Sequence, residues 1–233
     1  MQAVVPAAGR GSRLGALTAD RPKPLVPVGG TPLVEHVLDA LAPAVSEYVV
    51  VVGYRGDRLR SHLGDRYADC PVTYVEQAEP RGLADALLCA APAVDGPFLH
   101  CNADNVFAAD LSRLATHREA TDADAVLLTE RVSEDVARET GVLVRDEAGL
   151  RVVEKPDDPP SLEVQTGAFA FSPAVFDACR AVDPSARGEY ELSDAVTRLA
   201  RDGRVETLTL AADEWRVNVN TAADIAAAER RLR

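Results

Sequence analysis

The sequence predicts an α/β protein with a Rossmann-like, doubly wound sheet. Strand and helix patterns alternate through the first half, as in chained β-α-β units. The run Tyr48-Val49-Val50-Val51-Val52 is continuously apolar, the pattern of a parallel strand buried on both faces. The chain is 233 residues long, 47% apolar and 27% charged, which is ordinary for a globular protein and too apolar for disorder. A chain of this size buries roughly 70% of its unfolded surface, so it needs no disulfide or structural metal to fold.

Residues 2–8 predict the first strand, and 31–41 a helix with Thr31 as N-cap and Pro32 at its first position. Residues 47–53 are a strand, 55–63 a helix, 72–76 a strand, 82–91 an Ala/Leu-rich helix and 97–102 a fourth strand. Ligands of such sheets sit outside the strands' carboxyl ends, here the loops after Ala8, Glu76 and Asn102. The second half is less regular. It predicts a helix at 110–119, a strand at 125–130, a hairpin of 141–144 and 150–153 around 145–149, and a strand at 165–171. A helix follows from Pro173, then a helix at 190–201, strands at 205–210 and 215–219, and a closing helix at 221–231. No Gly/Ser linker divides the chain, which predicts one domain over 1–233, with a nucleotide-type half to about 120 and a β-rich lobe beyond.

The net charge of −12 argues against a nucleic-acid binder and against docking on anionic membranes. The four Cys form no C-x-x-C pair and the four His no H-E-x-x-H, so no zinc site or disulfide framework is signalled. The N-terminus lacks a basic n-region, and no apolar run reaches the roughly 20 residues of a membrane span, so a cytoplasmic protein is expected. Many acidic residues with few Lys suggest a salt-rich cytoplasm. A homo-oligomer is left open.

Only Lys23 and Lys155 are lysines among 25 basic residues, and each precedes a proline. Ammonium and guanidinium are not interchangeable around phosphate, so these two positions are candidates for a compact cation, although chance survival explains the count equally well. The segment Ala8-Gly9-Arg10-Gly11-Ser12-Arg13-Leu14-Gly15 follows the first strand. Glycines there let backbone amides approach a phosphate. A dinucleotide fingerprint needs glycine where Leu14 stands, and no Walker G-K-[ST] follows. Arg13 and Lys23 instead supply two cations, and the prolines around Lys23 stiffen its loop.

Gly9-Arg10-Gly11-Ser12-Arg13-Leu14 followed by Pro22-Lys23-Pro24-Leu25 resembles the G-x-G-[ST]-R-L…P-K-x-[LM] signature of the sugar-1-phosphate nucleotidyltransferases. Ala16 stands where that family usually has Pro. The resemblance extends from about residue 2 to 229 through five motifs in the family's order. It implies a glycosyltransferase-A-like nucleotidyltransferase fold, a mixed sheet with a small sugar-binding lobe. It also implies nucleotide binding by Ala8, Gly9, Gly11, Ser12 and Arg13, with Arg13 and Lys23 as catalytic cations. Gln77 and Gly82 take the base-recognition role by the same resemblance; read alone, Gln77 is a solvated loop amide. The Gly82-Leu83-Ala84 form is closer to thymidylyltransferase-type members.

His100-Cys101-Asn102-Ala103-Asp104-Asn105 ends a strand in polar groups. Asp104 matches the family's Mg²⁺-binding Asp; read alone it is a turn residue or helix cap. Mg²⁺ takes one or two carboxylates with waters and substrate phosphates. Val153-Glu154-Lys155-Pro156 resembles the E-K-P motif, which implies Glu154 on sugar hydroxyls and Lys155, the third catalytic cation, on the sugar phosphate. Asn102, Gly141 and Gln165 complete the implied sugar contacts, with Gln165 in a place where many members have Asn. Trp215-Arg216-Val217-Asn218-Val219-Asn220-Thr221 resembles the family's W-x-D-V-x-T segment, with Asn218 in the acidic position, where most members carry a second metal-binding Asp and the acetylglucosamine uridylyltransferases carry Asn. An amide oxygen still ligates Mg²⁺, with less charge.

The implied activity is Mg²⁺-dependent transfer of NMP from an NTP to a sugar 1-phosphate, with thymidylyl or uridylyl transfer foremost. Two alternatives stand beside it. One is a cytidylyltransferase acting on a phosphocholine-like acceptor, which 5% aromatic content and a single Trp disfavour. The other is a non-catalytic nucleotide-sugar-binding homologue, for which Asn218 is the support.

Overall fold

The computed structural model describes residues 1–147 and 149–233; Ala148, within the turn predicted at 145–149, lies outside the described residues. Strands β1 (Gln2–Pro6), β2 (Glu47–Val52), β3 (Cys70–Glu76) and β4 (Phe98–Cys101) pair in parallel in the order β3-β2-β1-β4. Their side chains alternate between two buried layers. Ala3, Val5, Tyr48 and Val50 face helices α1 (Leu33–Leu41) and α2 (Gly56–Leu63). Val4, Val49 and Val51 face α3 (Leu83–Ala90). Helices on both faces explain why these strands carry no polar alternation.

β5 (Asn105–Ala108) leaves the large sheet, and α4 (Ser112–Thr121) packs back under it. β6 (Ala125–Arg131), the short α5 (Glu134–Ala137), the hairpin β7 (Gly141–Asp146) and β8 (Gly149–Glu154), and β9 (Glu163–Phe171) build the lobe. β9 joins the halves. Its C-terminal half pairs antiparallel with β4, Phe171 opposite Phe98, while Val164 pairs with Val142 of β7. The parallel sheet thus continues into a ten-stranded mixed sheet. Against β6, the register of β9 shifts between Gln165 and Phe169. This bulge re-aims Thr166 and Gly167 at the cleft, a common use of bulges beside functional sites.

Helices α6 (Ala174–Arg180) and α7 (Leu192–Asp202) cover the same face as α3. β10 (Val205–Thr209) adds to β6 in parallel. β11 (Trp215–Asn218) pairs antiparallel with β5, bringing Asn218 opposite Asn105. α8 (Ala222–Leu232) closes the chain with a capping box between Thr221 and Asp224.

Two local expectations change. Thr31 does not cap α1: Thr31 and Pro32 pair with Pro27–Val28 in a small ribbon, and the helix starts at Leu33 with no side-chain cap. β5 is missed by periodicity because it has four residues and its partner lies more than a hundred residues away. No helix among the described residues is long and apolar enough to cross a membrane.

Candidate active site

The loop after β1 begins with Ala7, whose N–H still bonds Val51 O at 2.8 Å. Gly11 adopts φ +67°, and a Cβ built on it would lie 2.6 Å from Lys23 Cβ. Glycine is therefore required at 11 by conformation and by close approach together. Beyond it, residues Ser12–Thr18 wind as 3₁₀ turns. The buried Thr18 hydroxyl ties them down, donating to Gly11 O at 3.1 Å and Gly15 O at 3.2 Å.

Pro22 is extended, and Lys23 opens a short 3₁₀ turn with Pro24. The stiff loop sends the ammonium inward. Lys23 is only 9% exposed, and its Nζ donates to Asp104 Oδ2 and Asn220 Oδ1, both at 2.8 Å. Asn220 Oδ1 also accepts from Arg13 Nη2 at 3.1 Å. Arg13 itself is half-exposed at the cleft rim.

Asp104 lies just past β4. Burial pushes its carboxyl upward, but Lys23, Arg216 and Asn218 outweigh that effect and hold it below the ordinary carboxylate value. Asn218 Nδ2 donates to Asp104 Oδ1 at 2.9 Å, and its own Oδ1 accepts from Asn220 Nδ2. Arg216 braces this cluster from below. Its buried guanidinium pairs with Glu130 and donates to Asn105 Oδ1 at 3.1 Å and Thr166 O at 3.2 Å.

At the end of β3, the Gln77 N–H bonds Val52 O, and its side chain turns inward, 6% exposed. Its Nε2 donates to Gly82 O at 3.1 Å and Asp85 Oδ2 at 2.7 Å. It is thus an ordered side chain on the cavity wall and not a solvated loop amide. Gly82 has φ +105°, and a Cβ there would meet Tyr190 O at 2.5 Å.

Across the cleft, Glu154 ends β8 opposite Gly141. Its Oε2 accepts from the Ser193 hydroxyl at 2.6 Å, and its Oε1 lies 3.8 Å from Arg187 and 4.0 Å from Lys155 Nζ. Lys155 holds φ +45°, a strained conformation of the kind found at functional sites. Gly141 leaves room for its neighbours: a Cβ would sit 2.9 Å from Gln165 Nε2 and 3.1 Å from Glu154 Oε2. Gln165 Oε1 is buried without a hydrogen-bond partner among the described residues. Asn102 is held by its N–H to Gly167 O at 3.0 Å and by His100 Nε2, 2.9 Å from its Oδ1.

Two cavities meet here. One of about 400 Å³ is lined by Ala8, Gly9, Gly11, Ser12, Lys23, Gln77, Gly82 and Arg187. The other, of about 160 Å³, is lined by Gly141, Gln165, Ser193 and Asn218. Arg13, Asn102, Asp104, Glu154 and Lys155 border both. Every residue singled out in the sequence therefore lines this double cleft. Four further lining residues were missed, Arg187, Ser193, Arg216 and Asn220, and so was Asp85, which lies outside both linings and reaches them through Gln77. Arg187 carries no local motif. Its loop is seated by Tyr190, whose N–H bonds Arg81 O and whose carbonyl accepts from Ala84 N–H.

For a divalent cation the donor set is one carboxylate, Asp104, flanked by the amides of Asn218 and Asn220. No cluster of three or more His, Cys, Asp or Glu exists among the described residues. A carboxylate offers about four lone-pair sites, and Lys23 and Asn218 use two of those on Asp104. The set fits Mg²⁺, which needs few protein ligands when substrate phosphates supply others.

The Nucleotidyl transferase family profile matches residues 2–228, and the chain belongs to that family. It is 43% identical to UTP–glucose-1-phosphate uridylyltransferase AglF of Haloferax volcanii, over 100% of this chain and 96% of that protein. It is 33% identical to the glucose-1-phosphate thymidylyltransferase of Streptomyces griseus, over 93% of this chain and 62% of that one. A crystal structure of UDP-glucose pyrophosphorylase complexed with UDP-glucose superposes with a TM-score of 0.88 at 20% identity, over 99% and 97% of the two chains, and so shares the fold.

Proposed function

We propose that this enzyme transfers UMP from UTP to glucose 1-phosphate, or to a closely related sugar 1-phosphate, releasing pyrophosphate. The observation that carries this is the junction of the two cavities at Arg13, Asp104 and Lys155. It offers separate room for a nucleotide and a sugar, with cations between them. Likeness to the Haloferax volcanii uridylyltransferase supports UTP and glucose 1-phosphate as first substrates.

A phosphate oxygen of the sugar 1-phosphate attacks the α-phosphorus. The bond to the oxygen bridging towards the β-phosphate breaks, and its electron pair leaves with pyrophosphate. The nucleophile is already an anion, so no strong general base is needed. What the protein supplies is position and charge. The amides of the Gly9–Gly11 loop and Arg13 receive the triphosphate. Lys23 anchors Asp104 and the phosphate loop in one arrangement. Lys155, which borders both cavities, faces the acceptor phosphate, while Glu154, Asn102 and Gln165 accept from or donate to sugar hydroxyls. Asp104, with Asn218 beside it, would hold a Mg²⁺ ion, which neutralises phosphate charge when bound. The halves at about 1–120 and 121–233 then work as one catalytic unit.

The lining of both cavities includes no Trp, Tyr or Phe among the described residues, so a quaternary ammonium would find no aromatic cage. This disfavours a phosphocholine acceptor. The deciding experiment is pyrophosphate release with Mg²⁺ at high KCl across a grid of NTPs and sugar 1-phosphates. A signal led by UTP with glucose 1-phosphate is expected. Silence across the grid, with NTP binding confirmed, would overturn the reading in favour of a binding protein.

A further inference from the structure

The carboxamide of Gln77 is an ambiguous recognition group in isolation, since it presents a donor at one end and an acceptor at the other. Which end faces a ligand decides which base edge is complementary. Here the surroundings remove the ambiguity. The inward end touches Gly82 O at 3.1 Å and Asp85 Oδ2 at 2.7 Å. A carbonyl oxygen and a carboxylate oxygen only accept, so only the NH₂ group satisfies both. Turning the amide over would set its oxygen against two acceptors in a site where Gln77 is 6% exposed. Both Nε2 hydrogens are consumed, and no donor among the described residues bonds Oε1. Gln77 lines the cavity, and that oxygen is the group it has left to offer a ligand.

Asp85 sits in the first turn of α3, where an anion is favoured by the helix dipole. We infer that Asp85 is a positioning residue for base specificity: it locks Gln77 with its oxygen toward the nucleotide cavity. The cavity then accepts pyrimidines carrying a ring N3–H, uracil and thymine, and rejects cytosine. Uracil and thymine donate N3–H to such an oxygen. Cytosine places an unprotonated N3 there, acceptor against acceptor. Buried mismatches of this kind separate close analogues more strongly than shape does. The inference rests on the nucleotidyltransferase reading and assigns a cause to its choice of base.

The test is the ratio of kcat/KM for UTP to that for CTP, measured by pyrophosphate release with one sugar 1-phosphate at saturation. Wild type, Asp85→Asn and Asp85→Glu are compared. Asparagine can donate as well as accept, so it removes one of the two acceptor-only partners and leaves the amide's orientation to the longer contact with Gly82 O alone. Asp85→Asn is expected to lower the ratio by about tenfold or more, the cost of one neutral hydrogen bond. Asp85→Glu keeps an acceptor-only partner and is expected to retain most of the ratio. A general loss of packing would slow both nucleotides alike and leave the ratio unmoved. An unchanged ratio in Asp85→Asn, an equal loss in Asp85→Glu, or a wild type that prefers CTP would each overturn the inference while the transferase reading stood. Absence of turnover with every NTP would overturn the transferase reading itself.

Discussion

The ammonium of Lys23 lies 2.8 Å from Asp104 Oδ2, joining two residues 81 positions apart. One belongs to the loop after β1 and the other to the carboxyl end of β4. Because β1 and β4 are neighbouring parallel strands, their carboxyl ends open on the same side of the sheet. The pair therefore ties the glycine-rich loop after β1 to the acidic group that would hold a cation.

Lys23→Ala is expected to lower turnover by on the order of 10²–10³, the scale of losing one preorganised charge in an active site. Lys23→Arg should not restore it. The Lys23 ammonium sits 2.8 Å from both Asp104 Oδ2 and Asn220 Oδ1, a buried gap fitted to a compact point charge and not to a planar guanidinium. Steady-state pyrophosphate release, with circular dichroism to confirm folding, checks both variants. An arginine variant with near-native rates would refute the fit.

Gly11→Ala combines a positive φ with a Cβ 2.6 Å from Lys23 Cβ. Overpacking of this kind costs about 1–3 kcal/mol. Denaturant unfolding at fixed salt should show that loss, accompanied by reduced turnover as Lys23 is displaced. Gly9→Ala is the control, since nothing lies within 4 Å of a Cβ at Gly9. Equal stability in the two variants would count against the contact.

His100 is fully buried, and burial pushes its pKa from 6.5 down to about 4, against a smaller upward pull from Asn102. Between these values the unfolded chain carries the extra proton and the folded one does not. Stability from this group is therefore fully present above pH 6.5 and falls as pH drops toward 4. The full swing is about 3 kcal/mol, at 1.36 kcal/mol per unit. Urea midpoints at pH 7 and pH 5 measure it. His100→Gln should flatten the slope, and a slope unchanged in that variant would place the acid sensitivity elsewhere.

The phosphate loop, Lys23, Glu154 and Lys155 were legible in the sequence because each sits in a short motif at a strand end. Asp85, Arg187, Ser193 and Arg216 were not, for a common reason. Each acts through a partner: Asp85 on Gln77, Ser193 and Arg187 on Glu154, Arg216 on Asn105 and Thr166. For the last three that partner is distant in sequence. Asp85 is near Gln77 in the chain, yet its carboxylate only becomes meaningful once the turn at Gly82 folds it back. The Thr31 cap failed because Thr31 had a better use pairing with Val28.

Alternating strands and helices, with residues such as Val49–Val52 apolar on every position, determined a sheet covered on both faces without any tertiary information. The same local chemistry placed the glycine-rich loop and the proline-flanked Lys23 at its carboxyl edge, since glycine freedom and proline stiffness act within a few residues. The direction and place of β9 were decided only by the folded chain. Its antiparallel pairing beside β4 joins positions 67 to 73 residues apart, and the bulge at Thr166-Gly167 arises against β6, 32 to 46 residues away. The folded chain also decided the buried network in which Lys23, Asp104, Asn218 and Asn220 satisfy one another. Hydrogen bonds and charges are satisfied in space, and periodicity along the chain carries no record of which distant partner satisfies them.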